Sequence, residues 1–173
     1  MTIWDYINQG GAIMYVLLLA NIVGFALMIW KGLIIYGASK DQVKTQGELS
    51  SKVKEVIGDK ADHAQSLVKD EVQLYVHGLE KGLNTVKIIA SISPLLGLLG
   101  TVIGILKTFQ VVSEQGLSNP SLFAGGISMA LITTVGGLIV AIPHLVGYNY
   151  LVGLLDDLEL GLEKSTTESL IKG

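Results

Sequence analysis

A chain of 173 residues, half of them hydrophobic and only 16 % charged, would spread its apolar positions periodically if it folded in water. Here they come in long blocks, the arrangement of an integral membrane protein. The net charge of −3 suggests no nucleic-acid partner, and the absence of cysteine excludes disulfides and thiolate metal sites.

Residues 1–10 (MTIWDYINQG) are short and polar, without lysine, and Trp4 and Tyr6 are the amphipathic aromatics of a membrane interface. No basic leader precedes the apolar run that follows, so a cleavable signal peptide is not expected. That run, residues 11–30, is interrupted only by Asn21 and ends at Trp30 and Lys31; it predicts a first transmembrane helix.

Residues 31–86 differ in kind: with Lys87 they hold nine lysines against eight acids. From about Gln42 to Lys81, Val53, Val56, Ile57, Ala64, Leu67, Val68, Val72, Tyr75 and Leu79 recur at three- and four-residue intervals, an amphipathic helical period. Gly58 is a candidate break. The plain expectation is a solvated helix covering the base of a membrane domain; the sharper one is a docking surface for another protein.

Residues 87–109 predict the second transmembrane helix. Its core, KIIASISPLLGLLGTVIGILK, has the length of one bilayer crossing, about 20 residues. Pro94 lies in its first half. Gly97, Gly100 and Gly104 share one helical face, with Thr101 among them, as a helix pressed against another helix requires. After a short lysine-free loop, 110–121, comes a third apolar segment, 122–155. Its length of about 50 Å exceeds the ~30 Å hydrocarbon core, so its last turns, near Tyr148, Asn149 and Tyr150, should emerge into water. It carries its own small-residue stripe: Gly126, Ala130, Thr133, Thr134, Gly137 and Ala141. The segment 156–173 is a polar, acidic tail. The lysines concentrate in 31–87 and are absent from 1–10 and 110–121, so the large loop and the tail are expected in the cytoplasm and the N-terminus outside.

Enzyme chemistry finds no support. Ser128 and His144 are about 24 Å apart along one helix and cannot form a dyad within a subunit. His63, His77 and His144 have no metal-ligand spacing, and GLLGTVIG lacks the lysine–serine ending of a phosphate loop. No catalytic residue, metal or cofactor is expected. Both small-residue stripes fit plain packing between helices of one subunit, the simplest reading. Thr101 and Thr134, however, each lie about 15–20 Å into an apolar span and so near the bilayer midplane. No Asp, Glu or Lys accompanies them between Lys87 and Lys107 or in 122–155. Intramembrane carboxylates are the usual proton carriers, so any ion path here needs an acid from elsewhere.

SPLLGLLGTVIGILKTF and GGISMALITTVGGLIVAIPHLVGYN resemble the second and third transmembrane helices of the ExbB/TolQ/MotA family of proton-channel proteins, and GGAIMYVLLL resembles the start of helix one in ExbB and TolQ. Three crossings and a compact loop place the likeness nearer ExbB or TolQ than MotA, with ExbB preferred. The resemblance implies an all-α membrane protein with three transmembrane helices and long helices extending into the cytoplasm. It implies a homo-pentamer around a central pore, in the bacterial inner membrane. It implies a single-span partner of ExbD or TolR type that supplies an intramembrane aspartate, faced by threonines matching Thr101 and Thr134, with Thr133 expected as a third residue of the proton path. Proton flow would then drive work on a TonB-like protein for nutrient uptake. Pro94, Gly97, Gly100, Gly104, Gly126, Ala130, Gly137 and Ala141 would line the pore or grip the partner helices. A TolQ-type role in the Tol-Pal envelope system and a purely structural membrane scaffold are the alternatives. Many relatives carry an acid where this chain has Met129, and His144 stands where relatives are often small and apolar, a substitution able to tune the inner mouth.

Overall fold

The computed structural model describes residues 2–57, 64–116 and 120–172. Within them the chain is helical: α1 (Ile3–Gln9), α2 (Gly11–Lys40), α3 (Gln42–Ile57), α4 (Ala64–Glu80), α5 (Leu83–Gln115) and α6 (Pro120–Lys172). The candidate break at Gly58, together with His63 and Asn119, lies outside the described residues. Among the described residues, three stretches are long and apolar enough to cross a membrane: Gly11–Lys40, Leu83–Gln115 and Phe123–Ile171.

Two glycines divide helices that would otherwise run on. Gly11 has φ +64° and separates α1 from α2; Gly82 has φ +96° and separates α4 from α5. Both lie in the left-handed region, where a side chain is strained. The long helices overrun the apolar segments read from sequence. Hydropathy marks where a bilayer would end, but backbone hydrogen bonding has no reason to stop there. So α2 continues past Trp30 to Lys40, and of the segment 156–173, read as a polar tail, residues 156–172 form the last turns of α6. Pro94 and Pro143 sit inside α5 and α6 without ending them. Each removes one backbone donor. Beside Pro94, the hydroxyl of Ser93 donates to the Ile89 carbonyl at 2.7 Å, the kind of local side-chain bond that lets an apolar helix tolerate proline.

The chain forms two compact units. The first comprises residues 1–27 and 85–147. Its interior is thin: Ile13, Leu17 and Val140 cluster, with Met14, Ile89, Leu96 and Ile103 against them. Its larger hydrophobics, among them Leu95, Leu98, Val102, Leu131, Val135 and Ile139, are exposed. That distribution is inside-out for water and ordinary for hydrocarbon, where burying leucine between helices gains little.

The second unit comprises 28–84 and 148–173. Here aliphatics point inward: Ile35, Leu49, Val53, Val68, Val72, Val76, Leu83, Leu151, Leu155, Leu158 and Leu162 form one cluster. Val53, Val68 and Val72 are buried as the amphipathic period predicts, and Tyr75 and Leu79 pack at the margin. The side chains of Val56, Ile57 and Ala64 lie outside the described residues. Gln46 Nε2 donates to the Ser165 carbonyl at 2.8 Å, tying α3 to the end of α6. Lys31 is buried, and its Nζ donates to the Leu79 carbonyl at 3.1 Å. It places a cation at the C-terminal end of α4, where the helix dipole favours it.

Candidate functional site

The glycine stripe of α5 meets the small-residue stripe of α6 in the same chain. A Cβ built on Gly97 would lie 2.8 Å from the Thr133 carbonyl oxygen and 3.1 Å from Thr134 Cα. One on Gly104 would lie 2.5 Å from the Gly126 carbonyl oxygen and 2.9 Å from Ala130 N. One on Gly137 would lie 2.5 Å from the Ser93 carbonyl oxygen and 3.1 Å from Gly97 Cα. At Gly100 the Thr133 side chain already fills the space. Real Cβ atoms do not approach backbone this closely, so glycine is required along the seam.

Within the subunit, the surface beside Gly97, Gly100, Gly104, Gly126 and Gly137 is occupied by the chain's own α5 or α6, Ala130 among the residues that fill it. Pro94 is half-buried on α5, and Ala141 is buried on α6.

The three threonines have different surroundings. Thr133 is fully buried, and its hydroxyl is 3.0 Å from both the Met129 and Ala130 carbonyls of its own helix. Thr134 is half-buried, with its hydroxyl 3.5 Å from the Gly97 carbonyl across the seam. Thr101 is half-buried one turn further along α5, donating to the Leu98 carbonyl at 2.6 Å. A threonine hydroxyl has one proton to give and two lone pairs to offer. With the proton directed at backbone carbonyl oxygen, Thr101 and Thr134 keep acceptor capacity at partly exposed positions. Thr133 keeps none that is accessible.

The stripe extends beyond the residues singled out from sequence. Ser93 is 1 % exposed at one end of the seam. At the other, Thr108 Oγ1 donates to the Gly104 carbonyl at 3.0 Å and packs on Gly126. Carrying the spacing 97, 100, 104 one step in each direction reaches both, so the signal was present. The contacts of α2 with α6 were not signalled: a Cβ on Gly136 would lie 2.6 Å from Met14 Sδ, and Gly24 is buried against the His144 ring.

Met129 is buried, and Lys107 Nζ lies 3.7 Å from its Sδ. Among the described residues, no three His, Asp or Glu side chains gather into a metal-binding group. The seam itself is apolar and small, with hydroxyls as its only side-chain polar groups. It can hold helices close and offer hydrogen bonds, but it carries no group that binds and releases a proton.

Comparison with known proteins gives this arrangement its context. The sequence pattern of the MotA/TolQ/ExbB proton channel family matches residues 38–164. A biopolymer transport protein ExbB of Aquifex aeolicus is 47 % identical over 43 % of this chain and 50 % of its own length. An ExbB homolog of Methanothermobacter thermautotrophicus is 29 % identical over 90 % of this chain and 65 % of its own. The Tol-Pal system protein TolQ of Haemophilus influenzae is 40 % identical over 44 % of this chain and 33 % of its own. The matched part thus spans between one third and two thirds of these relatives.

Proposed function

The chain belongs to the MotA/TolQ/ExbB proton channel family, and from that premise we propose that it is the channel-side subunit of a proton-driven motor, of ExbB type. It is a multi-pass membrane protein. In our reading it sits in the bacterial inner membrane as a pentamer around a pore, with residues 1–10 and 110–121 outside and 31–86 and 156–173 in the cytoplasm. A single-span partner of ExbD type occupies the pore and brings an aspartate. Proton motive force is turned into work on a TonB-like protein that energises outer-membrane nutrient uptake.

One observation carries this proposal. Thr101 and Thr134 stand partly exposed on two apolar stretches, 87–107 and 122–155, that contain no carboxylate. Hydroxyls whose protons are directed at backbone can accept from a protonated acid, so they suit a carboxyl group arriving from another chain. Thr133, buried against Gly100, acts in packing. Because the glycine seam is filled from within the subunit, contacts with sister subunits and the partner fall to exposed side chains beside the threonines, such as Leu98, Val102 and Val135.

Thr101→Val and Thr134→Val should each abolish siderophore-dependent growth driven by the proton motive force while the complex still assembles. Normal growth of both variants would sink this role. The likeness to TolQ supports a second reading within the same class, a subunit of the Tol-Pal envelope system. Gene deletion separates the two: loss of siderophore uptake marks the first, detergent sensitivity and division defects the second. A purely structural scaffold would show no proton leak dependent on the partner's aspartate.

A further inference from the structure

His144 is fully buried in the first unit, an unusual place for an ionisable side chain on an apolar helix. Its Nδ1 lies 2.7 Å from the Val140 carbonyl oxygen one turn back on α6. A carbonyl can only accept, so Nδ1 carries the proton and Nε2 is left with a lone pair. Nε2 is buried and has no partner. The slot that holds it is made by α2. Gly24 leaves the space the ring fills; a Cβ there would fall on Nε2 and Cδ2. Phe25 packs edge-on at 4.8 Å between ring centroids.

We propose that His144 is a proton-operated latch between α2 and α6: uncharged, its ring fills the Gly24 notch and holds the two helices together, and a second proton expels it and frees α2. The neutral ring fits the slot because an unshared lone pair against apolar atoms is its only unmet demand. Protonation at Nε2 would add an N–H aimed at Gly24 with no acceptor, and a positive charge between apolar helices. A buried donor without a partner is costly, and an unpaired charge more so.

Among the described residues of α2, α5 and α6, no acid stands level with the ring to offset that cost; on α6 itself the titratable side chain one turn on is Tyr148, half-buried. The α2 groups against the ring, Gly24 and Phe25, are not titratable, nor is Val140. On α5, the antiparallel register set by Gly97 and Gly137 brings Val86 and Ala90 to this level, both buried; the titratable group nearby, Lys87, is exposed. A second proton on the ring therefore works against the closed contact. The proposal stands on the α2–α6 geometry alone and holds whether or not the chain conducts protons.

The chain has no cysteine, so Ile22→Cys and Val146→Cys place unique spin labels on exposed positions of α2 and α6 near the latch. The full chain, reconstituted in lipid bilayers and diluted with unlabelled chain, is read by pulsed dipolar spectroscopy across the histidine range, pH 8 to pH 5. We expect one narrow distance distribution at pH 8 and a second, longer population at pH 5 that is absent from His144→Leu. An unchanged distribution at pH 5, or the same acid response in His144→Leu, overturns the latch. Should His144→Leu fail to fold, nitrogen-15 spectra of the native chain decide, since only three histidines are present. The closed state must show His144 neutral with its proton on Nδ1. An Nε2–H tautomer there, or an imidazolium without lengthening of the label distance, contradicts the proposal.

Discussion

The two units solve the same problem, packing long helices, with opposite materials. In the first, small residues and bare backbone face inward along the α5–α6 seam while leucine, isoleucine and valine face outward. In the second, Val53, Val68, Val72, Leu158 and Leu162 fill the centre. The difference follows from the solvent. In water, aliphatic burial drives association at about 25 cal/mol per Å². In hydrocarbon that gradient vanishes, and close van der Waals contact between backbones replaces it. Helices α2, α5 and α6 contribute residues to both units, so the rule changes along single helices.

Substitutions can break or sharpen this contrast. The largest effect is expected at Leu162, fully buried in the second unit: Leu162→Ala should lower stability by about 2–5 kcal/mol, read as an earlier thermal transition of the purified chain. Next comes Leu131, exposed on the first unit. Leu131→Lys should reduce membrane insertion by about 3 kcal/mol in a translocon assay, whereas a lysine at exposed Val43 of the second unit should be neutral. Equal tolerance at the two sites would erase the distinction. At the seam, Gly137→Ala should cost about 1–3 kcal/mol, because its Cβ has nowhere to go 2.5 Å from the Ser93 carbonyl oxygen. Smallest is Lys31→Met, about 1 kcal/mol, visible as faster amide exchange at the end of α4 as the Leu79 carbonyl loses its donor.

Some of this was legible in the chain. The three apolar spans, the amphipathic period of 42–81 and the glycine stripe all follow from spacing. The identity of what fills the stripe does not: Gly97, Gly100 and Gly104 report that something comes close, and only coordinates show that it is Thr133, Gly126 and Ala130. The end of α6 was hidden by its charge. Asp156, Asp157, Glu159 and Glu163 dominate the composition, although Leu151, Leu155, Leu158 and Leu162 recur at helical spacing beneath them. The Gly24–His144 contact joins residues far apart in sequence, and no local pattern predicts it.

Adjacent threonines provide the sharpest test of the proposed path. Thr133 and Thr134 are neighbours in sequence; one is sealed under Gly100 and bonded to its own helix, the other is half-exposed at the seam. Valine is close in shape to threonine and removes only the hydroxyl. Proton flux should be measured into vesicles carrying the complex with its aspartate-bearing partner, for Thr133→Val and Thr134→Val side by side. The account predicts near-native flux for Thr133→Val and a loss of at least about tenfold for Thr134→Val, the effect of about 1.4 kcal/mol on a rate. Full flux through Thr134→Val, with the complex intact, would contradict it.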